Sequence, residues 1–119
     1  MPATIQRETT NIYVLSISGI LKKSELGHVH ETLARDIDAG AKPRVLAVSE
    51  NFEGFEPGAA WGDLDFLYFH TNDIERIAIV GEPQWERHAL AFAGAGFRSA
   101  PVKFFPSHQQ TQARAWLEE

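Results

Sequence analysis

Two short runs of apolar residues constrain the fold of this chain more than any other feature. Val45 to Val48 follows Pro43, and Ile77 to Val80 is followed by Gly81. Neither run alternates between apolar and polar residues, and a strand with this composition is covered on both of its faces. The two runs therefore predict central strands of a sheet that has helices packed against it.

A hairpin is predicted before these strands. Ile5 to Glu8 and Ile12 to Ile20 are expected to form two strands joined by a short turn. The second strand alternates, which places Tyr13, Leu15 and Ile17 on one face. We therefore expect one antiparallel pair at the start of an otherwise parallel sheet.

A helix is predicted between the hairpin and the first central strand. Ser24 is the expected N-cap and Gly40 the expected stop. At about 100° per residue the apolar positions of this helix fall within roughly 80° of one another. These positions are Leu26, Val29, Leu33 and Ile37.

Three further helices complete the predicted order. One covers about residues 58–70, and a second runs from about Gln84 to Ala93 after the Glu82-Pro83 turn. A last strand, Val102 to Phe105, leads to a capping-box pattern of Ser107 with Gln110 that opens the final helix. Its inward residues are expected to be Ala113, Trp116 and Leu117. The predicted fold class is α/β, with a mixed, mostly parallel sheet, an N-terminal antiparallel hairpin and about four flanking helices.

Composition narrows the class of protein. The 119 residues suit one domain spanning residues 1–119. Lys and Arg number 11 against 16 Asp and Glu, a net charge of −5 that argues against a nucleic-acid partner. There is no cysteine, no signal-peptide pattern and no membrane-length apolar run, so we expect a cytoplasmic protein without stable membrane insertion.

The segment around Trp61 to Phe69 is more apolar than one sheet requires. On a helical wheel Trp61, Leu64 and Tyr68 share one face, and Phe66 and Phe69 lie well round the other side. Neighbouring helices and the expected loop from Asn51 to Pro57 could cover the excess within the monomer. Alternatively it is a surface or cleft for a second subunit, a protein partner or a hydrophobic small molecule, with a homodimer as the leading hypothesis.

These patterns together resemble a known family. Val45 to Val48, the stretch Glu53-Gly54-Phe55, the helix from Trp61, and Ile77 to Gly81 with Trp85 resemble the SpoIIAA-like proteins of the STAS superfamily, which is also grouped with the CRAL-TRIO lipid-binding fold. The resemblance implies a mixed sheet flanked by helices. It also implies a non-enzymatic role in protein interaction or ligand sensing, with lipid carriage as the alternative.

The resemblance also implies a switch that this chain lacks. In the anti-sigma-factor antagonists of this family, a serine at the start of the helix after the central strand is phosphorylated. Here residues 55–59 read Phe-Glu-Pro-Gly-Ala, without a hydroxyl residue. Ser49 lies about eight residues too early and is interpreted as a hydrogen-bonding strand terminator. We expect a regulatory domain without the phosphorylatable serine.

Catalytic and metal chemistry is not favoured by the residue pattern. His28 and His30 are two apart on a helix and point to different faces, so no metal site is predicted. No nucleophile elbow is present, and an enzyme built on Glu53, Asp63 and His70 remains only an alternative. No cofactor or catalytic residue is predicted. The predicted binding surface comprises Phe52, Glu53, Phe55, Trp61, Asp63, Leu64, Phe66, Tyr68, Phe69, His70, Gly81 and Trp85.

Overall fold

A five-stranded mixed sheet forms the centre of the computed structural model, which describes residues 3–8, 11–56, 74–87, 90 and 101–119. The strands lie side by side in chain order, and only the first pair is antiparallel. They are β1 (Ala3–Arg7), β2 (Ile12–Leu21), β3 (Arg44–Phe55), β4 (Arg76–Gly81) and β5 (Val102–Pro106). The predicted mixed sheet with an N-terminal hairpin is thus confirmed.

Two α-helices lie within the described residues. They are α1 (Lys23–Asp38) and α2 (Gln110–Glu118). The helix predicted over residues 58–70 falls outside the described residues. The one predicted from Gln84 starts as a 3-10 turn, Pro83–Trp85, and most of its length also falls outside. About four helices were predicted, and the described part of the chain contains two.

The two faces of the sheet have separate cores. Tyr13, Leu15, Val45, Ile77 and Ile79 point to one face. Ile12, Leu46, Val48, Ala78 and Val80 point to the other. On the first face the sheet packs with Val29 and Leu33 of α1, and on the second with Ala113 and Leu117 of α2. The continuous apolar runs are therefore covered on both faces, as predicted, because successive side chains of a strand point to opposite sides.

Both predicted serine caps are wrong. The N-cap of α1 is Lys22, without a side-chain cap, and Ser24 is exposed within the first turn. Ser107 opens a 3-10 turn, and α2 begins three residues later without a capping bond. At the start of α1 the Glu25 N–H donates to the Lys22 carbonyl at 3.1 Å, and a 3-10 turn leads into α2, so backbone geometry begins both helices without a serine cap. The predicted helix stop at Gly40 agrees with the structure better than the serine caps do. Gly40 has a φ of 103°, and its N–H donates to the Ile37 carbonyl.

A buried phenol connects the sheet to α1. Tyr13 is 1% exposed, and its hydroxyl donates to Asp36 Oδ2 at 2.6 Å. Burial, and next the hydrogen bond to the Asp36 carboxylate, raise the pKa of Tyr13 to about 12. The phenol therefore stays neutral and fixes α1 on the first face.

Two arginines hold the carboxyl end of α2. Arg44 and Arg76 are directly opposite each other on β3 and β4. Arg44 donates to the Leu117 carbonyl at 2.8 Å, and Arg76 to the Trp116 carbonyl at 2.7 Å. Cations at this end of a helix satisfy its last carbonyls and complement its dipole. The C-terminal helix is therefore fixed to the beginning of the central strands.

Candidate binding surface at the carboxyl end of the sheet

Strand β3 extends beyond its pairing with β4. Its pairing with β4 ends at Val48 and Val80, whereas its pairing with β2 continues to Phe55. The prediction of a loop from Asn51 is therefore wrong for the part up to Phe55. Sequence favours a loop here because Asn51 and Gly54 adopt positive φ, 53° and 122°, which asparagine and glycine tolerate best. In the structure these residues shape an irregular strand and not a free loop.

An aromatic pair covers this extension. The Phe52 and Trp85 rings are 4.8 Å apart between centroids and inclined by 75°. This edge-to-face arrangement matches the charge distribution of the two rings. A Cβ at Gly54 would lie 3.8 Å from Trp85 Cη2, so the indole also reaches the β3 backbone. Both aromatic side chains are only half-buried, and they bring two segments distant in sequence to one point on the surface.

Ser49 of β3 and Gly81 of β4 lie against each other at the carboxyl end of β4. Ser49 Oγ donates to the Val80 carbonyl at 3.1 Å. A Cβ at the buried Gly81 would collide with that hydroxyl. Ser49 lies within β3 and not at its end, but its hydroxyl does hydrogen-bond the backbone. The neighbouring strands approach closely here because the residue at position 81 has no side chain.

An open groove follows Trp85. Its volume is about 590 Å³. It is lined by Pro83, Gln84, Glu86, Arg87 and Leu90. In parallel α/β sheets, ligands bind outside the carboxyl ends of the strands, and the groove adjoins the carboxyl end of β4. The aromatic pair and the groove-lining residues that flank Trp85 in sequence are together called the carboxyl-end surface.

Four exposed glutamates lie close in sequence to the aromatic pair. Glu50 and Glu53 flank Phe52, and Glu82 and Glu86 flank Trp85. None of the four makes an ion pair with another residue in the described ranges. Glu53 reaches across to β2, because a Cβ at Gly19 would lie 3.6 Å from its Oε2. Four exposed carboxylates therefore lie within three residues of the aromatic pair in the sequence, together with the exposed Arg87.

The predicted binding residues divide into two groups. The structure places Phe52, Glu53, Gly81 and Trp85 at the carboxyl end of the sheet, and Phe55 at the last position of β3. Predicted residues outside the described ranges are Trp61, Asp63, Leu64, Phe66, Tyr68, Phe69 and His70. The predicted binding residues do not include Gly54 or the groove residues Gln84, Glu86, Arg87 and Leu90. The Gly81-Glu82-Pro83 turn after a buried strand was interpreted from sequence as a candidate pocket rim, and Pro83 does line the groove.

The described residues offer little for metal binding or catalysis. No group of three His, Asp or Glu side chains among them is arranged to hold a metal ion. His28 is exposed and lies 3.7 Å from Glu31 on the same helix, while His30 is half-buried. The hydroxyl of Ser49 donates to a backbone carbonyl and not to a base, so it is not arranged as a nucleophile. No helix in the described ranges has the length and apolarity to span a membrane.

Comparison with known proteins gives a family and a fold. The family model described as SpoIIAA-like matches residues 12–118. A crystal structure of an uncharacterized DUF3478-family protein with a SpoIIAA-like fold, from Shewanella loihica PV-4, is similar with a TM-score of 0.68. The identity is 24%, and the match covers 97% of this chain and 91% of that chain. No curated protein matches the sequence.

Proposed function

The chain belongs to the SpoIIAA-like family, and from that membership we propose that it is a non-enzymatic binding domain acting through protein–protein interaction. Its contact surface is the carboxyl-end surface centred on Phe52 and Trp85. The observation that carries this proposal is the half-buried edge-to-face pair of these two rings. Residues on both sides of Trp85 in the sequence line an open groove. Aromatic side chains are enriched in the cores of protein interfaces.

The regulation differs from that of the phosphorylated members of the family. Residues 55–59 contain no hydroxyl group. The nearest preceding hydroxyl belongs to Ser49, which is half-buried and already donates to Val80. We propose that partner binding is constitutive and is not controlled by phosphorylation at the family's switch position.

A pair of matched tryptophan variants tests this function. Trp85→Ala removes the aromatic pair, while Trp116→Ala makes the same chemical change on α2, in the other core. Affinity purification of the tagged chain from its source cells is compared for wild type and both variants by quantitative mass spectrometry. A partner lost with Trp85→Ala and kept with Trp116→Ala supports the proposal. If Trp85→Ala stays folded and loses no partner, the carboxyl-end surface is not the contact surface.

We also propose that the partner is a second copy of this chain, so that the protein forms a homodimer. The homodimer proposal rests on the aromatic helix predicted from sequence over residues 58–70, and this segment lies outside the described residues. Light scattering at high micromolar concentration should give a dimer mass. Trp61→Asp should then give a folded monomer, since an unpaired charge is not tolerated in an apolar contact. A monomer mass for the unmodified chain at this concentration would contradict the homodimer.

A small hydrophobic ligand is the alternative. The groove beside Trp85 has the volume of a small-molecule site, and Pro83 and Leu90 supply apolar lining. Native mass spectrometry of gently purified protein should show an added mass if the chain is a carrier. The unmodified mass alone contradicts the carrier alternative and leaves the protein-binding proposal in place.

A further inference from the structure

We draw no further inference here: the strongest candidate, the outer edge of β1 at the end of the sheet, is an edge only among the strands that the described residues form, and nothing in the structure shows what covers it.

Discussion

Ser49 occupies the space that a side chain at Gly81 would need. Its hydroxyl donates to the Val80 carbonyl, and a Cβ built on Gly81 collides with that same oxygen. The contact joins β3 and β4 where their pairing ends, directly before the aromatic pair. The small size of residue 81 therefore helps to set the position of the carboxyl-end surface.

Gly81→Ala should destabilise the protein by about 1–3 kcal/mol, the usual cost of overpacking a buried site. Urea unfolding followed by circular dichroism measures the change. The matched control is Gly27→Ala in α1, where nothing lies within 4 Å of the added Cβ. That variant should be stabilised by about 0.5–1 kcal/mol, because alanine favours the helix. The double variant Gly81→Ala, Ser49→Ala should recover part of the loss, and purely additive effects would show that the Ser49 hydroxyl is not the obstacle.

The Phe52–Trp85 contact should appear as a coupling energy. Phe52→Ala, Trp85→Ala and the double variant form a cycle in which the contact accounts for about 0.5–1.5 kcal/mol, as expected for an edge-to-face pair. Unfolding free energies from urea titrations provide the values. Phe52→Ala with Trp116→Ala is the control cycle, since Trp116 packs in the other core. A coupling energy no larger than in the control cycle would contradict the contact.

Tyr13 should make stability depend on alkaline pH. Its folded pKa is raised to about 12 from an ordinary value of 10.0, so the neutral phenol is favoured in the folded state. The resulting stabilisation is complete below pH 10 and is lost as pH rises from 10 through 12. Thermal unfolding from pH 9 to 12 should show this loss, and Tyr13→Phe should reduce it.

The titration of Tyr13 can be observed directly. The chain has two tyrosines, so Tyr68→Phe leaves Tyr13 as the only phenol. Its absorbance at the phenolate wavelength should rise near pH 12 in the folded protein. A rise near pH 10 before unfolding would contradict the buried hydrogen bond to Asp36.

Arg76→Ala should loosen α2. The side chain donates to the Trp116 carbonyl and lies 5.2 Å from the centroid of the Trp116 ring. Hydrogen bonds from a charged donor contribute about 1.5–3 kcal/mol. Hydrogen exchange of the α2 amides should therefore accelerate by at least about tenfold. Arg87→Ala, at an exposed position, is the control, and equal exchange in both variants would show that Arg76 does not hold the helix.

The sequence by itself determined the class of sheet. The unbroken apolar runs at Val45 to Val48 and Ile77 to Val80 identified strands covered on both faces, and the alternation from Tyr13 identified the hairpin strand. These are local signals, because the period of side-chain direction is fixed within each strand. Residues Phe52, Gly81 and Trp85 were also among the binding residues predicted from sequence.

Only the tertiary structure decided how these residues meet. The extension of β3 to Phe55 depends on pairing with β2, and the contact of Phe52 with Trp85 joins residues 33 positions apart. The anchoring of α2 likewise requires Arg44 and Arg76 to be neighbours across two strands. Such relationships depend on register and through-space distance, which no local pattern encodes. For the same reason the end of β3 was interpreted from sequence as a loop.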